Sequence, residues 1–398
     1  MKILIAYSGG LDTSYLIARL SRAGHEVVAA TVDCGGFDDD MHAELAQRAL
    51  GYGALSHHVI DARVELFERV LRWLVAGNVL RGRTYPLSVG AERGVQAERL
   101  AHYALEGGFD ALAHGCTAAG NDQVRFDGTL RVVAPGLKVL APIRDEAPTR
   151  DEQIAWLTKE GLALPGGGGG YSINAGLWGQ TIGGGALLGS EGELPEDAWS
   201  WTRCGPTAAQ RVEITFERGI PVALDGRALE PVPLIEQLNR DAGAAGVGRG
   251  IHLGDTVLGI KGRVAFESPA AMVLIEAHRE LEKLVLTEDQ RFWKDHLGDV
   301  YGRRVHEGRH HDPLLRDIEA MFESSQARVS GRVTVGLEGR VARTLCLDSP
   351  HSMMRASDAA YGERAASDAD PAGLVTFARV SAEPSALYAR AAGTGVPS

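Results

Sequence analysis

Residues 8–14 carry the residue types that bind phosphate groups. Their sequence is Ser-Gly-Gly-Leu-Asp-Thr-Ser, in which two glycines allow close approach of the backbone and three hydroxyl groups can donate hydrogen bonds to phosphate oxygens. Asp12 can either cap a following helix or hold a magnesium ion beside the phosphates. The segment lacks the Gly-Lys-Ser/Thr of a Walker loop and the spacing of a dinucleotide fingerprint. It therefore predicts a phosphate site of another class.

A second polar block, residues 114–126, has the sequence His-Gly-Cys-Thr-Ala-Ala-Gly-Asn-Asp-Gln-Val-Arg-Phe. Thr117 and Asn121 can bind a carboxylate, and Asp122 can accept hydrogen bonds from an ammonium group. The tripeptide at residues 120–122 could also be a plain turn. Because a turn does not require the whole string through Arg125, we favour an amino-acid site.

The elements around these segments alternate between strand and helix. Short apolar runs predict strands at residues 2–7, 27–32, 56–60 and 110–113, and helical spacing predicts helices at 13–23, 41–50 and 64–80. This alternation is typical of a parallel sheet that is covered on both faces, which is an α/β domain. The phosphate segment then lies at the carboxyl end of the first strand, where the amino terminus of the next helix attracts anions.

The alternation ends near Pro165, where five glycines at positions 166–170 interrupt the chain. We therefore predict a nucleotide-binding domain at residues 1–165, an α+β domain at 166–364 and a tail at 365–398. In the second domain the patterns predict strands at 211–216 and 222–224, helices at 234–241 and 270–286, and a hairpin at 331–347. The tail is rich in Ala, Ser, Asp and Pro and is predicted to pack against another surface.

Composition excludes several classes of protein. The net charge of −11 argues against a nucleic-acid-binding protein, and no apolar run is long enough to span a bilayer. The four cysteines are scattered, which predicts neither a metal site nor a disulfide framework and favours a cytoplasmic location. The histidine pairs at 57–58 and 310–311 lack ligand partners at metal-binding spacing, so we expect them at the surface or at helix ends.

Both polar segments resemble known motifs. The string Ser-Gly-Gly-x-Asp-(Ser/Thr) resembles the pyrophosphate loop of the ATP pyrophosphatases, and residues 6–14 and 114–126 together are similar to the argininosuccinate synthase family. The resemblance implies an ATP-pyrophosphatase (adenine nucleotide α-hydrolase-like) domain, then a synthetase domain and a C-terminal oligomerisation tail. It also implies a cytoplasmic homotetramer that uses ATP and Mg²⁺ and acts on small molecules.

The resemblance also implies roles for individual residues. ATP would be cleaved to AMP and pyrophosphate while activating an acceptor, and the amine of aspartate would then displace AMP. The residues implied for ATP are Ala6, Tyr7, Ser8, Gly9, Gly10, Leu11, Asp12, Thr13, Ser14 and Gly115, with Asp12 as a possible magnesium ligand. Those for aspartate are Thr117, Asn121 and Asp122. The catalytic set is Ser8, Asp12 and Arg125, and the acceptor set is Tyr85, Gly90, Arg93, Arg125, Ser172, Thr181, Gly254 and Phe266.

The acceptor set departs from the family pattern. Gly90 stands where the family has serine, Gly254 where it has glutamate and Phe266 where it has tyrosine, while Asp-Glu-Asn at residues 174–176 is replaced by Asn-Ala-Gly. An unpaired substrate ammonium group costs several kcal/mol. We therefore hypothesise a ligase for an acceptor other than citrulline. Two alternatives are a genuine argininosuccinate synthase, with neutral changes in its pocket, and an inactive nucleotide-binding relative.

Overall fold

The apolar runs of the first half of the chain form a five-stranded parallel sheet with the strand order β3-β2-β1-β4-β5. The strands are β1 (Lys2–Ala6), β2 (Glu26–Asp33), β3 (Ser56–Asp61), β4 (Ala111–Ala113) and β5 (Lys138–Leu140). Ile3, Leu4 and Ile5 of the central strand are fully buried, because helices cover both faces of the sheet. The strand order reverses between β1 and β4, which is where such sheets bind ligands. The predicted α/β class is confirmed.

This computed structural model describes residues 1–165, 170–202, 210–391 and 393. The chain separates into two compact units, Met1–His351 and Ser352–Ser398. Most of the predicted glycine boundary, Gly166 to Gly169, lies outside the described residues, as does Cys204. The division into domains at residues 165 and 364 stays a prediction.

The helices of the first half follow the strands in the predicted places. They are α1 (Leu11–Arg22), α2 (Asp39–Gly51), α3 (Arg63–Leu66), α4 (Arg72–Ala76), α5 (Glu92–Glu106), α6 (Asp122–Val133), α7 (Pro142–Glu146) and α8 (Arg150–Lys159). A π-helical turn, Phe67–Leu71, joins α3 to α4, so the helix predicted at 64–80 forms but ends at Ala76. It ends there because Asn78 adopts a left-handed conformation, with φ of 49°.

The second half adds nine strands and five helices to the described part of the chain. The strands are β6 (Tyr171–Gly176), β7 (Gly179–Gly184), β8 (Gln210–Glu217), β9 (Ile220–Leu224), β10 (Arg227–Ala228), β11 (Arg249–Asp255), β12 (Lys261–Glu267), β13 (Gly331–Glu338) and β14 (Val341–Asp348). The helices are α9 (Pro231–Ala244), α10 (Pro269–Val285), α11 (Glu288–His306), α12 (Pro313–Gln326) and α13 (Pro371–Ala391). The hairpin predicted at 331–347 is the antiparallel pair β13–β14.

These strands form two antiparallel sheets, with the orders β10-β9-β8-β13-β14 and β11-β12-β7-β6. Sequence patterns did not reveal the second of these, because glycines at the end of β6 and at both ends of β7 obscure the usual strand pattern. This second sheet carries four of the residues that the resemblance implies for the acceptor.

A buried polar network holds the helices behind the site in register. Lys294 of α11 and Glu282 of α10 are both buried and form an ion pair of 3.0 Å. His278 hydrogen-bonds Asn78, which follows α4, at 2.8 Å and Gln326 of α12 at 2.7 Å. The network therefore fixes where the chain leaves α4 and enters the segment that contains Tyr85.

The second unit contains α13, in which no residue is buried. Its predicted role in oligomerisation stays a prediction. Within the described residues, none of the helices combines the length and the apolar character needed to cross a membrane.

Candidate active site

The turn between β1 and α1 exposes backbone N–H groups at the edge of the parallel sheet. Gly9 has a φ of +78°, and a Cβ there would overlap Leu45, so the turn requires glycine. Helix α1 begins after Gly10, which caps it without a side-chain hydrogen bond. The N–H groups of the first turn therefore remain available to an anion. Asp12 lies within that first turn, so its interpretation as the helix cap was wrong.

Side chains of this turn contact one another and α8. Ser8 Oγ lies 3.4 Å from Thr13 Oγ1, and Tyr7 OH lies 3.4 Å from Ser14 Oγ. Gln153 Nε2 donates to Asp12 Oδ1 at 2.8 Å. This bond orients the Asp12 carboxylate beside the exposed N–H groups of the turn.

The second polar block begins beside this turn. A Cβ at Gly115, which follows β4, would lie 2.9 Å from Thr13 Cγ2, so Gly115 allows the two segments to pack closely. The ring of His114 is buried and hydrogen-bonds Asp127 at 3.0 Å, which ties the start of the block to α6. The second polar block therefore begins beside the phosphate turn, at the point where the strand order reverses.

Asp122 joins two arginines at the amino terminus of α6. Its carboxylate accepts from Arg93 Nε at 2.9 Å and from Arg125 Nη1 at 2.8 Å. Burial raises the pKa of Asp122, but the two arginines outweigh burial and lower this pKa to about 2. Asn121 Oδ1 accepts from the N–H of Val257 at 2.8 Å, while Thr117 is exposed. These contacts give Asn121 and Asp122 partners well beyond a plain turn.

Four of the eight residues implied for the acceptor lie on one face of the sheet β11-β12-β7-β6. Directly paired residues of an antiparallel sheet point to the same side. Phe266 pairs with Thr181, and Thr181 pairs with Asn174. Alternation along the strands places Ser172, His252 and Gly254 on this face too.

Tyr85 packs against this face. Its ring stacks on His252 with centroids 5.5 Å apart and contacts Phe266 at 5.3 Å. Ser88 Oγ donates to Tyr85 OH at 3.3 Å. Burial raises the pKa of Tyr85, so its phenol is neutral at neutral pH. Tyr85, His252 and Phe266 therefore form an aromatic cluster at one corner of this sheet. The resemblance implies a tyrosine at position 266 and a glutamate at position 254 of the same corner.

Arg125 links this corner to the second polar block, residues 114–126, which we call the aspartate block because the resemblance implies that it binds aspartate. A Cβ at Gly90 would lie 3.3 Å from Arg125 Nη2, so a side chain at position 90 would contact the guanidinium group. On its other side Arg125 donates to the carbonyl of His306 at 2.9 Å and to His306 Nδ1 at 3.1 Å. Arg93 reaches the sheet through Asn174 at 3.3 Å.

Three site residues escaped sequence reasoning. His252 overlaps the space of a side chain at Gly254, and the Glu92 carboxyl overlaps that of a side chain at Gly176. Burial raises the pKa of Glu92 well above its usual value, and within the described residues its Oε1 has no hydrogen-bond partner. The third is His306, which holds Arg125. Of these three, only His252 could have been found from the sequence, because it lies two residues before Gly254 and so shares its strand face.

His310 corrects another expectation. It lies between the end of α11 and the start of α12, but it is buried against Gly94, and burial lowers its pKa to about 4. Of the two predicted locations, the surface was therefore wrong for His310. Of the other pair, His57 is partly exposed and His58 is exposed, both on β3. The described residues contain no cluster of three or more His, Cys, Asp or Glu side chains suited to a metal ion.

Comparison with known proteins places both halves of the chain in one family. Residues 2–163 match the arginosuccinate synthase N-terminal HUP domain, and residues 171–384 match the arginosuccinate synthase C-terminal domain. A solved structure described as a predicted tRNA methyltransferase subunit from Methanocaldococcus jannaschii aligns with 40% of this chain and 76% of its own. Its TM-score of 0.29 and 16% identity support no inference.

Curated relatives match over nearly the whole chain. The argininosuccinate synthase of Methanocaldococcus jannaschii is 38% identical over 94% of this chain and 95% of its own length. That of Methanothermobacter thermautotrophicus is 37% identical over 98% of this chain and 97% of its own. That of Metallosphaera sedula is 37% identical over 88% and 90%, respectively. With both family domains matched and both polar segments brought together, the chain belongs to the argininosuccinate synthase family of ATP-dependent, AMP-forming C–N ligases.

Proposed function

We propose that this ligase condenses citrulline with aspartate, using ATP to activate the ureido oxygen of citrulline. The observation that carries the proposal is the bridge formed by Asp122 between Arg93 and Arg125, because it connects the aspartate block to the acceptor sheet. The names of the relatives favour citrulline over other acceptors. Our hypothesis of another acceptor therefore becomes the second candidate.

The chemistry divides between the two halves of the site. The turn at residues 8–14 binds the phosphates of ATP through N–H and hydroxyl groups, which stabilises charge as pyrophosphate leaves. The acceptor oxygen attacks the α-phosphorus, the bond to pyrophosphate breaks, and an adenylylated acceptor remains. The amine of aspartate then attacks the activated carbon and AMP leaves with the bonding electron pair. No covalent enzyme nucleophile is required.

The proposal includes a magnesium ion, a homotetramer and a cytoplasmic location, all on the strength of the family resemblance. Magnesium takes one or two protein carboxylates together with phosphate oxygens and water. Asp12 fits this requirement, since it is partly exposed and held beside the phosphate turn by Gln153. When bound, magnesium would neutralise charge on the phosphates.

The second candidate is a ligase that couples aspartate to a different ureido, amide or carboxyl acceptor. The losses at Gly254 and Phe266 favour it, because Phe266 lacks a hydroxyl group and His252 fills the space beside Gly254. An inactive relative is disfavoured, since the phosphate turn keeps all of its hydroxyl groups and its aspartate.

The test is a pyrophosphate assay with the purified full-length protein, Mg-ATP, aspartate and citrulline, followed by mass spectrometry of the product. The first proposal expects stoichiometric AMP, pyrophosphate and argininosuccinate, and no turnover when aspartate is omitted. Pyrophosphate release with other acceptors but not with citrulline would favour the second candidate. Absence of turnover with every acceptor, by a protein that still binds ATP, would exclude both.

A further inference from the structure

A cavity of about 1030 Å³ borders the candidate active site. Arg81 and Gly82 line it on one side, His306 lines it on the other, and Asp255 lines it at the end of β11. His306 also binds the guanidinium group of Arg125, whose other side faces Gly90. The cavity therefore approaches the Arg125 guanidinium group from the side opposite to Gly90. None of the residues implied for ATP or for aspartate lines it.

His306 presents an unused hydrogen-bond donor. Arginine only donates hydrogen bonds, so the bond from Arg125 makes His306 Nδ1 the acceptor and leaves the proton on Nε2. Burial and the charges of Arg125 and Arg81 lower the pKa of His306 to about 3, which keeps the ring neutral. His306 is 6% exposed, and Nε2 has no hydrogen-bond partner within the described residues. The Asp255 carbonyl, which accepts from Arg81 at 2.6 Å, also acts on His306 and partly offsets the lowering of its pKa, but it does not meet hydrogen-bond geometry with Nε2.

Arg81 presents an unpaired positive charge to the same cavity. It is partly buried, and within the described part of the chain no carboxylate lies at ion-pair distance from it. The carboxylate that acts most strongly on it, that of Asp255, is bound to Lys261 at 2.6 Å. A half-buried guanidinium group without a counter-ion is suited to bind an anion.

His252 adds a third unused group directly behind the turn that carries Arg81. A Cβ at Gly82 would lie 3.0 Å from His252 Cε1, which shows how closely the ring approaches the turn. The residue is 7% exposed, and its Nε2 has no hydrogen-bond partner among the described residues. Buried polar groups without partners are rare, so two such histidines beside one unpaired arginine require an explanation.

We propose that Arg81, His252 and His306 form a subsite for the carboxylate of the acceptor, which selects acceptors with an anion and no ammonium group at this end. All three side chains offer N–H donors of the kind that a carboxylate accepts from, whereas an ammonium group would be repelled by Arg81 and Arg125. This inference rests on the ligase function that both candidates share, and it favours the second candidate, a ligase whose acceptor is not citrulline. We favour a carboxylate over a phosphate as the anion bound here, because the turn at residues 8–14 that is suited to phosphates lies elsewhere, at the edge of the parallel sheet.

Three ureido compounds test the subsite. Citrulline carries a carboxylate and an ammonium group, desaminocitrulline carries only the carboxylate, and pentylurea carries neither. We expect kcat/KM for aspartate-dependent pyrophosphate release, and affinity in calorimetry, to be about tenfold or more higher for desaminocitrulline than for the other two. The expected order identifies the carboxylate as the recognised group.

Two variants connect this preference to the subsite. Arg81→Gln removes the charge, and His306→Asn keeps an amide oxygen for Arg125 while removing the Nε2 donor. Both are expected to bind desaminocitrulline and pentylurea about equally and to keep the KM for ATP. The matched control is Arg131→Gln, an exposed arginine of α6 that does not line the cavity, which should keep the preference.

The outcomes separate this inference from the proposed function. Carboxylate-dependent binding without any pyrophosphate release would overturn the ligase function alone. Turnover that favours citrulline, or that ignores the carboxylate, would overturn the subsite alone. Failure of all three compounds to bind, or a preference that survives both variants, would also reject the subsite.

Discussion

The imidazole ring of His252 occupies the space that a side chain at Gly254 would need. The two residues lie on the same face of β11, and a Cβ at Gly254 would overlap His252 Nε2. Only one of the two positions can therefore carry a long side chain. The family resemblance assigns a glutamate to position 254, so here an imidazole stands where that carboxylate would be.

This relationship predicts strong coupling between the two positions. Gly254→Glu alone should destabilise the protein by about 1–3 kcal/mol, because the new side chain overpacks against His252. His252→Ala should remove most of that cost when combined with Gly254→Glu, and the double variant should bind citrulline more tightly than the wild type. Urea unfolding and calorimetry measure both effects. Additive free energies of unfolding would show that the two side chains do not compete.

The phosphate turn provides a prediction for catalysis. Ser8→Ala and Asp12→Ala should each lower kcat for pyrophosphate release by about a hundredfold or more, since each removes a polar group from the nucleotide site. Their urea unfolding midpoints should stay near that of the wild type, because Ser8 is exposed and Asp12 is partly exposed. Asp39→Ala, in the first turn of α2, is the matched control and should keep full activity. Near-normal rates in the two site variants would remove these residues from the mechanism.

The backbone conformation and close packing of Gly9 give a prediction for the stability of the phosphate turn. Gly9→Ala combines a φ of +78° with overlap against Leu45, so it should cost about 1–3 kcal/mol of stability and lower ATP affinity. Gly24→Ala is the control, because Gly24 has a φ of +80° but nothing within 4 Å of its Cβ position. The difference between the two free energies of unfolding isolates the packing cost from the backbone cost. Equal values would mean that Leu45 moves aside freely.

The lowered pKa of Asp122 predicts that the free energy of unfolding falls at acidic pH. Its pKa is lowered from 3.8 to about 2, so its ion pairs stabilise the fold above pH 3.8 and are lost as the pH falls toward about 2. The stabilisation is modest, since the side chain is 38% exposed. Asp122→Asn should flatten this part of the stability profile and raise the KM for aspartate at neutral pH. A profile that keeps the wild-type slope would assign the acid sensitivity to other groups.

The buried ion pair behind the site predicts a large effect on stability. Lys294→Met leaves the Glu282 carboxylate buried without its cation, which should cost about 3–5 kcal/mol in urea unfolding. The control is Lys283→Met, an exposed lysine of α10 paired with Glu280, for which we expect a change below about 1 kcal/mol. Similar values for the two variants would contradict the assigned role of the network.

Much of the first half was predictable, because its signals are local. A short apolar run followed by glycines specifies a strand that ends in an exposed turn, and β1, β2 and β3 formed close to the predicted bounds. The sheet β11-β12-β7-β6 was less accessible, because glycines interrupt the pattern of its strands and because β7 pairs with β12, which is distant in the sequence. The same limit hid His306, whose role depends on Arg125 in a distant helix.

By itself, the sequence determined where the phosphate turn at residues 8–14 and the polar block at residues 114–126 would form, because each is a continuous string whose local chemistry resides in its own residue types. Only the tertiary structure decided the acceptor corner. There Tyr85, His252 and Arg125 come from three separate segments, and their contacts depend on which sheet face and which helix meet. Side-chain space is shared between such segments, so the loss of a group at Gly254 acquires a meaning only once the ring that fills its place is known.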